Sequence, residues 1–229
     1  MRRTLILLTT LSLGASQLAF SHGVQGRDAD FLKTATGTHI GPFLYLGAKH
    51  MVTGYDHLLF LLGVIFFLFR MRDVAIYVTC FAVGHSITLL AGVLSGIHVN
   101  PYLVDALIGL SVVYKAFDNL DGFRTLFGFQ PNTKAAVLLF GLIHGFGLAT
   151  KLQDFNLSKD GLIPNMISFN LGVEIGQLLA LTVILAVMLL WRRTSGFSRH
   201  AVFANVLLMT AGFVLIGYQL AGYAWGATA

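Results

Sequence analysis

Six stretches of this chain stay apolar over about the ~20 residues that a helix needs to cross a hydrocarbon core. They run approximately from Tyr45 or Gly54 to Phe69, Val74 to Gly96, Pro101 to Phe117, Ala135 to Thr150, Leu162 to Trp191 and Ala201 to Trp225. This restricts the chain to an all-α membrane protein, a bundle of six transmembrane helices. The first stretch reads either as one long helix from Gly41 or as a short helix broken at Thr53-Gly54. Composition agrees: of 229 residues 56% are hydrophobic and 11% charged, against roughly 25% charged in a soluble domain.

Ahead of the spans, Arg2 and Arg3 precede the apolar run "TLILLTTLSLGASQLAF", and Ala19-Phe20-Ser21 places small residues at both cleavage-determining positions. Residues 1–21 are thus expected to be a signal peptide, 22–40 an extracytoplasmic segment and 41–229 the six-helix domain. An uncleaved first helix is the alternative. The net charge of +5 sits mostly in short loops, so it orients the chain in a lipid bilayer and builds no nucleic-acid face. Arg70 and Arg72, then Lys115, Arg124 and Lys134, then Arg192, Arg193 and Arg199 occupy alternate loops, which the positive-inside rule makes cytoplasmic. The expected location is a bacterial-type inner membrane, with the mature N-terminus and the C-terminus extracytoplasmic. Cys80 stands alone within an apolar run, so no internal disulfide forms and a buried thiol is expected.

Against this apolar background seven ionisable residues are out of place: His50, Asp56, His57, His85, Asp105, His144 and Glu174, with Asn170 and Gln177 close by. An ionised residue at the bilayer centre costs about 2.5–3.5 kcal/mol on insertion scales unless it is paired, protonated or bound to a cation. At about 1.5 Å per residue, His85 lies roughly 18 Å along its span, His144 roughly 15 Å and Glu174 about 18 Å below Leu162. Asp56, His57 and Asp105 enter from the outer surface. Several spans therefore deliver polar groups between the midplane and the outer face, which points to one shared site.

Local spacing refines this expectation. Asn170, Glu174 and Gln177 in "FNLGVEIGQ" fall on one helix face, at i, i+4 and i+7. His50 and His57 also share a face on a continuous helix, but about 10 Å apart, too far to hold one ion together. Either the chain breaks at Thr53-Gly54, or His50 serves a different position or a second ion. Adjacent Asp56 and His57 point about 100° apart, so one can bind metal while the other orients a neighbouring ligand. Three imidazoles and several carboxylates make a ligand inventory for a divalent transition metal, nickel, cobalt or zinc. His50, Asp56, His57, His85, His144 and Glu174 are the candidate ligands, and Asn170, Gln177 and Asp105 the supporting groups. Asp105 can also serve as a plain helix cap. If cleavage follows Ser21, the amine and imidazole of His22 form one more candidate ligand set. His98 and His200 read as solvated, and Ser86 and Ser111 as small residues at helix contacts.

"HMVTGYDH", "GHSITL", "LIHGFGLA" and "FNLGVEIGQ", in this order, resemble the HupE/UreJ family of membrane proteins associated with hydrogenase and urease maturation. The resemblance covers nearly all of the chain after the signal. The family often carries further histidines in its second motif region, where "FAVGHS" offers His85 alone. The resemblance implies six spans, a cleaved signal, a nickel or nickel–cobalt permease, and roles in metal capture for His50, Asp56 and His57. The expected function is a divalent metal permease open to the extracytoplasmic side. The alternative is an intramembrane zinc hydrolase acting on a lipid or membrane-embedded substrate, with Glu174 or Asp56 as base. A metal sensor without transport is a third reading.

Overall fold

The structure is a computed structural model and describes residues 26–226. The expected signal peptide and His22 lie outside the described residues. Among the described residues every regular element is a helix: α1 Arg27–Thr34, α2 Ile40–Thr53, α3 Tyr55–Ile65, α4 Met71–Ser95, α5 Pro101–Asn119, α6 Gly122–Phe127, α7 Thr133–Gln153, α8 Leu162–Arg192 and α9 Ser195–Gly226. Four of them, α4, α7, α8 and α9, are long and apolar enough to cross a membrane. The other two expected spans map onto α5 and onto the α2–α3 pair. Helix α5 has 19 residues but carries Asp105, Lys115 and Asp118, and the pieces of the α2–α3 pair, 14 and 11 residues long, are each short of a span.

Three close helix pairs build the bundle: α2 with α8, α4 with α7, and α5 with α9. Hydrocarbon supplies no hydrophobic drive between helices, so close backbone approach at small residues takes its place. A β-carbon at Gly145 in α7 would collide with the His85 carbonyl of α4, and one at Gly172 in α8 would collide with the Leu44 carbonyl of α2. The contacts also give direction. Phe81 meets Gly141 and His85 meets Gly145, so α4 and α7 run parallel, and Leu44 meets Gly172 while Ala48 meets Gly176, so α2 and α8 run parallel as well.

Short α3 sits among the pairs, touching α2, α4, α5, α8 and α9. It begins at a break. Gly54 has φ −72° and ψ 96°, ending α2 and starting α3, so of the two readings of the first stretch the broken one holds, with a helix on each side. Gly54 N still donates to the His50 carbonyl at 2.9 Å, and its own carbonyl accepts from Leu58 N at 3.0 Å, so the break strands little of the backbone. At the far end of α3 the Arg192 guanidinium donates to the carbonyls of Ile65, Phe66 (2.8 Å) and Leu68 (2.9 Å), and lies over the Phe69 ring. A cation is the favourable partner for the orphan carbonyls of a helix C-terminus. Arg192 thus does more than mark the orientation of a loop.

Lys115 departs from its reading as a loop charge. It lies inside the bundle at 6% exposure, its ammonium 2.5 Å from Asp118.

Candidate functional site

His57, in the first turn of α3 and 3% exposed, is the hub of four imidazoles. Its ring centroid lies 5.1 Å from that of His50, 5.9 Å from His85 and 4.8 Å from His144, all in edge-to-face contact. The four rings come from α2, α3, α4 and α7. The break at Gly54 makes the first of these contacts: it removes much of the helical rise that would hold His50 and His57 about 10 Å apart. Gly54 is also where the site is tightest. A β-carbon there would stand 3.0 Å from the His50 carbonyl, 3.1 Å from His57 Nδ1 and 3.2 Å from Asp56 Oδ1.

Asp56 is 2% exposed and turns back on its neighbour. Its Oδ1 accepts from the His57 amide at 2.8 Å and from His57 Nδ1 at 2.9 Å. The start of α3 favours a negative charge there. The ring bond assigns the proton to Nδ1, which leaves the lone pair on Nε2, the arrangement in which a carboxylate orients a metal-ligating histidine. His57 Nε2, both nitrogens of His85 and Nε2 of His50 are buried without a hydrogen-bond partner. Each such atom costs about 1–3 kcal/mol. Stability alone does not account for three such rings side by side; a cation held among them would take up one lone pair from each ring. Ser111 orients a fourth ring: its hydroxyl donates to the Ile108 carbonyl at 2.6 Å and so accepts from His144 Nε2 at 3.0 Å. That places the basic lone pair of His144 on Nδ1.

Beneath the four histidines lies a phenylalanine layer. Phe60 follows His57 by about one turn on α3, Phe81 precedes His85 by about one turn on α4, and Phe140 precedes His144 by about one turn on α7. Given the helix directions, all three stand nearer the Arg192 end than their histidines. Phe60 touches Phe81 at 5.3 Å, Phe140 at 5.8 Å and His144 at 5.2 Å between centroids.

The remaining candidates lie elsewhere. Glu174 is exposed in a groove between α4 and α8, where Ser86 Oγ donates to it at 3.5 Å; Asn170 Nδ2 donates to Ser86 Oγ at 3.0 Å. Gln177 Nε2 donates to the Val78 carbonyl at 3.5 Å. Asp105 pairs with Lys151 at 2.8 Å instead of capping its helix. The structure therefore gathers His50, Asp56, His57, His85 and His144, and leaves Glu174, Asn170, Gln177 and Asp105 outside their contacts. Among the described residues no three His, Cys, Asp or Glu side chains already form a coordination shell; the rings pack edge to face. The reading from sequence passed over Ser111 and the phenylalanines. Ser111 carries a weak signal, a hydroxyl on a buried apolar helix, while phenylalanine in a membrane span carries none.

Residues 26–227 match the family described as HupE / UreJ protein. No curated protein and no solved structure matches the chain.

Proposed function

The chain belongs to the HupE/UreJ family, and from that premise we propose that this multi-pass membrane protein is a permease for a divalent transition metal ion, nickel or cobalt. The observation that carries the reading is the set of unpartnered imidazole nitrogens on His50, His57 and His85, gathered where the first span breaks. Neutral imidazole is a good ligand for nickel and cobalt, and the inner atoms of the cluster offer nothing else.

In this reading the α2–α3 pair forms one discontinuous span and α5 another, giving six. Discontinuous helices that end at an ion site are a recurrent device of secondary transporters. The loops bearing Arg70, Arg72, Arg124, Lys134, Arg193 and Arg199 fall at the Arg192 end of the bundle, which is then cytoplasmic. The ion arrives from the opposite side past His50, the least buried of the four rings, and exchanges water for imidazole. The edge-to-face rings turn their lone pairs toward it, with Asp56 and Ser111 keeping His57 and His144 in the ligating tautomer. The phenylalanine layer separates the bound ion from the cytoplasmic side, as an apolar constriction does in other pores.

The test is metal analysis of the purified protein followed by uptake of radioactive nickel into proteoliposomes. Exchangeable metal with saturable uptake, lost on His57→Ala in protein that still elutes as the wild type does, supports the permease. One tightly held zinc with no uptake sinks it and turns the search to membrane hydrolysis.

A further inference from the structure

On the Arg192 side of the phenylalanine layer a second polar group is buried where a membrane bundle has little reason to keep one. Lys115 stands one turn beyond Ser111 on the same face of α5, about 6 Å nearer that end. Its ammonium donates to Asp118 Oδ2 at 2.5 Å and to Asn119 Oδ1 at 2.8 Å. The side chains of Lys115 and Asp118 are only 8% and 5% exposed. The stem of Lys115 fills the gap between α5 and α3, its Cγ 3.2 Å from where a β-carbon on Gly63 would sit. Around this pair, Asn119 Nδ2 donates to the Gly63 carbonyl and to Asn205 Oδ1, both at 2.9 Å, and Gln130 Nε2 donates to Asp118 Oδ1. One network thus joins α3, α5 and α9 just past the layer that underlies the histidines.

A buried ion pair is a poor device for stability, because desolvation offsets most of the attraction and apolar side chains of equal volume often do better. Position suggests another role. An ion leaving the histidines toward this end meets first a fixed positive charge and then, behind it, a carboxylate and an amide oxygen already arranged around a cation. We propose that Asp118 and Asn119 Oδ1 form a second cation site, and that the Lys115 ammonium is a tethered cation filling it until a metal ion displaces it. The proposal rests on the permease reading for the direction of travel. The chemistry suits an exit: oxygen donors bind nickel and cobalt less tightly than imidazole, so an ion handed from the histidines to Asp118 is held weakly enough to leave. While the ammonium stays in place, the same charge closes the route to other cations. Gly63 leaves room for the lysine stem, and its carbonyl, held by Asn119, ties the state of the lock to the helix that carries His57.

The experiment reads binding at equilibrium, without transport, so its failure is separate from failure of the permease reading. Full-length protein in detergent is titrated with Mn²⁺, an oxygen-preferring probe, and bound metal is followed by electron paramagnetic resonance. Lys115→Met is expected to gain one Mn²⁺ per chain over the wild type. The gain should persist when His57→Ala is added, and disappear when Asp118→Asn is added. Lys115→Gln, which keeps a donor for Asp118, serves if the methionine variant folds poorly, and should show the same gain. Folded Lys115 variants that bind no more Mn²⁺ than the wild type would overturn the proposal, as would a gain that survives Asp118→Asn.

Discussion

The rings of His50 and His57 meet at 5.1 Å although seven positions separate the two residues, because the chain turns at Gly54 between the end of one helix and the start of the next. The site depends on this local feature more than on any distant contact. Alanine at position 54 puts a methyl group against the His50 carbonyl, His57 Nδ1 and Asp56 Oδ1, all within 3.0–3.2 Å, and favours a continuous helix that draws the rings apart. Gly54→Ala is expected to weaken nickel binding at least tenfold, about 1.4 kcal/mol, in calorimetric titration. Unchanged affinity would show that the break is incidental.

Asp56 acts through His57. Asp56→Asn keeps the size of the side chain but removes the charge that sets the tautomer of His57. Loss of such an orienting partner typically lowers metal affinity 10–100-fold. The expected Kd for nickel rises by that factor, while the number of bound ions stays the same. A lost equivalent of metal would instead make Asp56 a direct ligand.

The ion competes with protons for the same nitrogens. A protonated ring has no lone pair to offer. Nickel binding is therefore expected to strengthen as pH rises and to weaken as pH falls. Affinity measured at a series of pH values checks this. Affinity that does not weaken at any acidic pH at which the protein stays folded would count against a histidine site.

Glu174 faces the groove between α4 and α8, outside the ring contacts of the cluster. Glu174→Gln should leave the nickel Kd within about twofold. A loss as large as that of His57→Ala would return Glu174 to the ligand set.

Much of this was legible in the sequence, for a physical reason: polar groups are costly in hydrocarbon, so His57, His85, His144 and Asp56 stand out against their neighbours. The two possibilities at Thr53-Gly54 were legible as well, but not the choice between them, which the backbone of Gly54 decides. Periodicity put Asn170, Glu174 and Gln177 on one face, but period alone does not say which neighbour that face meets; here it is α4, away from the rings. Lys115 read as a loop charge because it lies near the end of its apolar stretch, and only the fold shows Asp118 turned inward to meet it. The phenylalanine layer was invisible because its residues are what any membrane helix contains.

The most direct measurement is X-ray absorption at the nickel edge of the metal-loaded protein. The account predicts a first shell of nitrogen and oxygen with the outer-shell scattering of at least three imidazoles, and loss of one imidazole in His57→Ala. An oxygen-only shell, or an imidazole shell unchanged by His57→Ala, would contradict it.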